Sequence, residues 1–212
     1  MFATLLAIAA LYNFAPTPQN AAISALYADP KRPPVVRRVN VVGHYAAVLT
    51  SGGRIEGDLV NEPILVEHFS FGWQALDLLG LRCRLEAREL GRNVDAALMA
   101  GMPRPKDDRP CHGYFRDSGP REDVENVRGL MRGPLVPYIL VFGDWAIGEW
   151  YGAGGGESLY RKREDRWHLV LSDGGAMGVD DMRKYGVPQP AWCKLGIFDA
   201  RCAKTRPKVV CQ

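Results

Sequence analysis

Val141-Phe142-Gly143-Asp144-Trp145-Ala146 decides how this chain is read, because Val41-Val42-Gly43-His44-Tyr45-Ala46 stands 100 positions earlier (141 − 41). The correspondence continues where Leu65 to Trp73 lies under Leu159 to Trp167, at an offset of 94 (159 − 65). It closes with Val94-Asp95 and Gly101-Met102-Pro103-Arg104-Pro105 against Val179-Asp180 and Gly186-Val187-Pro188-Gln189-Pro190, at an offset of 85 (186 − 101). Offsets that shrink in order mean that the first copy carries extra loop residues. A repeat of this length is a statement about architecture.

Each copy reads as a helix, four antiparallel strands and a short helix. In copy one, Ala21 to Asp29 is a helix ended by Pro30, and Val35 to Val42 is a strand rich in β-branched residues. Gly43-His44 turns the chain into Tyr45 to Thr50, and Ile64 to Phe69 and Trp73 to Leu78 follow after a longer loop. Leu81 to Leu90 fits either periodicity, and Val94 to Ala100 is a short helix stopped by Gly101 and Pro103. In copy two the helix is Glu122 to Arg132, with Val124, Val127 and Leu130 on one face. Strands are expected at Pro137 to Phe142, Trp145 to Tyr151, Glu157 to Arg163 and Trp167 to Ser172, then a helix at Val179 to Tyr185. The expected fold class is therefore α+β, two tandem copies of a helix plus four-stranded antiparallel sheet unit. The division is 1–20 as an apolar N-terminal or signal segment, 21–105 as copy one, 106–121 as linker, 122–190 as copy two and 191–212 as a Cys-containing tail. Trp73 and Trp167 open the fourth strand of each copy, where a large ring anchors helix to sheet.

Helix followed by a four-strand meander, with Gly-Asp-x-Ala after the first strand and a charged turn before the Trp of the fourth, resembles the cystatin/NTF2-like α+β superfamily. The series Gly143-Asp144-Trp145-Ala146, Trp150, Gly155-Gly156 and Trp167 is similar to small bacterial exported proteins described as copper-uptake-associated. Those proteins tend to place a Cys after the fourth strand, where this chain has Ser172 and, in copy one, Asp77 or Leu78. The resemblance implies shape more than chemistry.

The 212 residues carry a net charge of +3, with Lys and Arg interleaved with acids, so there is no concentrated basic face for nucleic acid. Phe2 to Phe14 is apolar but shorter than the roughly 20 residues that span a bilayer, and it suits a signal-peptide core. Export to the periplasm or beyond is the expected localisation, with no integral membrane span in the mature chain. Five cysteines agree with it: Cys83 is expected to pair with Cys111, and two of Cys193, Cys202 and Cys211 to pair near the C-terminus.

Candidate chemistry is sparse. Trp145, Glu149 and Tyr151 share one face of their strand, and His168 is expected within two strands of Glu149. These four form the candidate ligand-binding set, and Glu149 with His168 is the candidate acid–imidazole pair of a small-molecule lyase or isomerase. Copy one has Leu49 and Gln74 at those two positions. Met99, Met102, Cys111 and His112 are soft ligand types close in sequence and are the candidate metal set. Gly152-Ala153-Gly154-Gly155-Gly156 precedes a strand rather than a helix, so it is a hairpin loop and not a phosphate cradle. There is no Gly-x-Ser-x-Gly elbow. No cofactor is expected. The leading reading is a non-catalytic exported binding or accessory protein whose partner is a small molecule or a protein.

Overall fold

The computed structural model describes residues 14–26, 30–55, 58–60, 63–77, 96–103, 117–131, 133, 135–151, 154–197 and 202. The expected Cys83–Cys111 bridge, the 81–90 segment, most of the linker and the soft-ligand candidates Cys111 and His112 lie outside these residues. The architecture is α+β, with two four-stranded antiparallel sheets.

The first sheet has strand order β1-β2-β5-β6, from β1 (Val35–Val42), β2 (Tyr45–Ser51), β5 (Pro63–Phe69) and β6 (Gly72–Asp77). The long loop between β2 and β5 holds a small hairpin of its own, β3 (Arg54–Ile55) and β4 (Asp58–Leu59). The second sheet is a meander of β7 (Ile139–Phe142), β8 (Trp145–Tyr151), β9 (Gly155–Arg163) and β10 (Arg166–Asp173). Gly43 and Gly143 open the equivalent hairpin turns with φ of 60° and 57°, which suits glycine at the first turn position.

Register ties the two sheets to the sequence repeat. Ala46 faces Val66 in the first and Ala146 faces Tyr160 in the second, at the offsets of 100 and 94. The β5–β6 pairing shifts between Leu65 and Val66, leaving Leu76 as the extra residue; β9–β10 shifts between Leu169 and Leu171, leaving Val170. Leu76 and Val170 are again 94 apart (170 − 76), so both sheets carry a bulge at the same place. Trp73 and Trp167 both stand on the helix-covered face, as expected.

Helix α1 (Pro18–Ser24) covers Ala46, Val48, Ile64 and Val66 of the first sheet. It begins three residues before the expected start at Ala21, because Thr17 caps it by accepting a hydrogen bond from the Asn20 amide and Pro18 fits the first turn. Phe14 and Ala15 belong to the fold too, since Ala15 exchanges backbone hydrogen bonds with Trp73 (both 2.8 Å). The opposite face of the first sheet packs Ala47, Leu65, Phe69 and Leu76 against Leu98 and Met102, which lie in and just after a helical turn at residues 96–98. In the second sheet, helix α2 (Arg121–Leu130) covers Ala146, Tyr160 and Trp167. Helices α3 (Val179–Lys184) and α4 (Gln189–Lys194) cover Trp145, Ile147 and Leu159 on the other side. Helix α4 spans the expected boundary between copy two and the Cys-containing tail; Pro190 in its first turn and the Trp192 indole N–H on the Val187 carbonyl (2.8 Å) hold it. Cys193 of α4 forms a disulfide with Cys202, one of the pairings expected near the C-terminus.

The helices enter the two sheets differently. Ala15, ahead of α1, pairs beside Trp73 on β6, whereas Ser118, ahead of α2, pairs beside Leu140 on β7. The sheets meet where Leu135 pairs with Tyr151 on one side and runs parallel beside Ala75 of β6 on the other, with the Val136 amide donating to the Ala75 carbonyl (3.2 Å). Antiparallel order makes β1 and β6 run oppositely, so a parallel joint sets β7 against the direction of its counterpart β1. The second sheet is thereby turned over, and equivalent faces point to opposite sides of the molecule.

Candidate functional site

Alternation puts Trp145, Ile147, Glu149 and Tyr151 on one side of β8; Trp145 and Ile147 pack in the core under α3 and α4, whereas Tyr151 packs against the core under α1. Register then assembles a polar row across the sheet. The Glu149 amide donates to the Tyr138 carbonyl (3.3 Å), Glu149 faces Glu157 on β9, and Glu157 faces Asp173 on β10.

Two carboxylates directly opposite one another repel unless something intervenes. Here the Tyr151 hydroxyl donates to Glu149 Oε1 (2.9 Å) and the Tyr138 hydroxyl to Glu157 Oε1 (3.1 Å). Glu157 Oε2 accepts the Met177 amide, which fastens the loop before α3 onto the sheet. Burial pushes the Glu157 carboxyl above its ordinary range, against the pull of the Met177 and Tyr138 hydrogen bonds. Tyr138 is raised far above the usual phenol range by burial first and by the charges of Glu149 and Glu157 second, so it stays a hydrogen-bond donor. Glu149, Tyr151 and Glu157 are half-buried, and Asp173 at the β10 end of the row is exposed.

His168 does not join it. It is exposed and faces Arg161, which in turn faces Trp145, so the imidazole is level with Trp145 rather than with Glu149. The separation along β8 is four residues (149 − 145), about 13 Å at the rise of a strand, with two strand spacings across. The acid–imidazole pair expected from the sequence is therefore not assembled: alternation places Glu149 correctly, but the register between β8 and β10 is not legible in the sequence. Trp145 is buried beneath the Arg161 guanidinium, 5.0 Å from its ring.

Of the soft-ligand candidates, Met102 is buried and Met99 partly buried in the core around Leu98. Among the described residues no group of at least three His, Cys, Asp or Glu could hold a metal ion. Gly155 and Gly156 belong to β9 rather than to a loop, and a Cβ on Gly156 would collide with the Asp173 carbonyl of β10.

A second polar cluster lies where the halves meet, and sequence reasoning did not find it. Arg128 of α2 is fully buried and ion-pairs with Asp117 (2.6 Å). It also donates to Gln74 Oε1 (3.0 Å) and to the Val136 carbonyl, and its guanidinium lies 4.7 Å from the centre of the Phe69 ring. Asp117 accepts the Ile139 amide as well (2.7 Å). One turn earlier, Glu125 accepts from Arg121 (2.8 Å) and from the Ser70 amide of the first half (3.2 Å). Burial alone would raise Glu125, but the hydrogen bonds from Ser70 and Arg121 outweigh it and hold the carboxyl below its ordinary range. The signal was present: Arg128 stands four residues after Val124, inside the apolar stripe of the helix.

Comparison with protein families, characterised proteins and solved structures finds no match to this chain. Among the described residues no helix is long and apolar enough to cross a membrane.

Proposed function

We propose that this is a non-catalytic exported protein that binds a ligand or partner through the half-buried end of the polar row at Glu149 and Tyr151. The observation that carries the reading is the engagement of the carboxylates. Both Glu157 oxygens accept hydrogen bonds from Tyr138 and Met177, and Glu149 accepts one from Tyr151, while the imidazole that proton transfer would need lies elsewhere. Groups committed to the scaffold make a rigid recognition surface rather than a base that must exchange protons. A half-exposed carboxylate beside a phenol suits a ligand carrying an ammonium or another hydrogen-bond donor. Export is supported by the apolar start of the chain and by the Cys193–Cys202 bridge, which belongs to an oxidising compartment. The cystatin/NTF2-like and copper-uptake resemblances are compatible with this reading and rest on the glycines and tryptophans quoted above.

The test is a thermal-shift and calorimetric screen of the purified protein against a panel of amines and cationic peptides, repeated with Glu149→Gln. The expected result is a ligand whose binding is lost in the variant while the unliganded melting temperature moves by no more than about 2 °C. A ligand bound equally well by Glu149→Gln, or turnover of a screened compound that depends on His168, overturns the proposal.

A further inference from the structure

The joint between the halves leaves its two complementary surfaces unused at the ends of the molecule. At the joint, Ala75 of β6 and Leu135 lie side by side, and each is 1% exposed. The repeat offsets map Ala75 onto Leu169 of β10 (75 + 94) and Leu135 onto Val35 of β1 (135 − 100). Leu169 is 38% exposed and Val35 is 45% exposed. β1 and β10 are the outermost strands of their sheets, each pairing with one neighbour only among the described strands.

We infer that a second copy of this chain docks there, with its β1 start laid parallel along the outer edge of β10, so that Val35 of one molecule meets Leu169 of the next as Leu135 meets Ala75. An interface of this kind is head-to-tail, so each molecule keeps one edge of each type free and the assembly grows beyond the dimer.

A bulge at an edge strand ordinarily discourages such pairing. That objection does not hold for β10, because β6 carries the bulge at the equivalent residue and still receives Leu135 and Val136 at its outer edge. Charge favours this pairing over one of β1 with β1. A parallel approach brings Arg37 and Arg38 of β1 towards the Asp173 end of β10, whereas antiparallel pairing of β1 with another β1 would set those arginines against their own copies. Among the described residues no strand pairs with the outer edge of β1: α1 packs on the face of the first sheet, the segment ahead of it pairs with β6 at the far edge, and residues 98–100 bond to the Arg38 and Asn40 side chains. The new joint lacks a counterpart of the Arg128 lock. At the position equivalent to Gln74 the chain has His168, exposed, so association is expected to be weaker than the internal joint and dependent on concentration.

Sedimentation velocity across a concentration series tests this on the full chain. The expected result is a distribution extending past dimer for the wild type, and monomer for Leu169→Lys and for Val35→Lys. Mixing those two variants should give dimer and nothing larger, because each retains one intact edge. The double variant Val35→Lys/Leu169→Glu, which exchanges the apolar contact for an ion pair, should associate again and guards against single variants that fail to fold. A wild type that stays monomeric at its highest soluble concentration overturns the inference. So does association that persists in folded Leu169→Lys, or a mixture of the two folded single variants that does not dimerise.

Discussion

Gln74 and His168 occupy one position of the repeat and meet opposite fates. Gln74 is buried to 1% and accepts a hydrogen bond from the Arg128 guanidinium, while His168 stands in solvent beside Arg161. The strands around them are equivalent, down to the bulge two residues further on. What differs is the neighbour: the first sheet has α2 of the other half docked on its Phe69–Gln74 corner, and the second sheet has nothing equivalent there among the described residues. A repeated unit thus specifies its own backbone, and its place in the chain decides which surface becomes interior.

The comparison can be broken most severely at Arg128. Arg128→Met removes the cation while leaving Asp117 and Gln74 in their partly dry surroundings, and breaking a buried pair this way costs about 3–5 kcal/mol. Chemical denaturation should show that loss. It should also uncouple the halves, so a first-half probe such as Trp73 fluorescence and a second-half probe such as Trp167 cease to report one transition.

A smaller effect is expected where the two cores differ in volume. Val48 and Gly148 are equivalent, but a Cβ on Gly148 would lie 2.8 Å from Met131 Sδ and 2.5 Å from Ile139 Cδ1. Gly148→Val, which only copies the residue of the first half, should therefore destabilise by about 1–3 kcal/mol through overpacking. A neutral result would mean that the two helix–sheet interfaces are interchangeable.

The smallest effect is in pH, and its sign differs between the halves' junction and the polar row. Glu125 is held below its unfolded value, so its contribution to stability is present above that value and is lost as pH falls through the lowered one. Glu157 is raised, so the native state binds its proton more tightly, and stability decreases as pH rises from the unfolded carboxyl value through the raised one. Melting curves of wild type, Glu125→Gln and Glu157→Gln should separate the two: the first variant flattens the acid-side loss, and the second flattens the decline towards neutral pH.

Most strands were legible because alternation and turn glycines are local. β1 and β8 fall on the residues read from sequence, and the other strands differ by a residue or two at their ends, where Gly72 and Gly155 extend pairing that composition does not signal. The 52–62 loop hid the β3–β4 hairpin because strands of two residues have no periodicity. Half of the candidate site was legible for the same reason: alternation places Glu149 with Trp145 and Tyr151, and only pairing with the neighbouring strands brings in Glu157 from β9 and Tyr138 from just before β7 and excludes His168.

By itself the amino-acid sequence determined two sheets of equivalent register, because the spacing of small, apolar and turn residues recurs and each strand needs only its neighbours to pair. It also determined that the Cys-containing tail could be stapled, as Cys193 and Cys202 are. Tertiary structure alone decided that the halves meet through a parallel contact at Ala75 and Leu135, which turns the second sheet over and buries Arg128 between them. The physical reason is that an edge of unpaired backbone accepts any suitable strand. Which strand arrives, and which side chains it draws out of water, depends on residues some 60 positions away (135 − 75) that no local pattern connects.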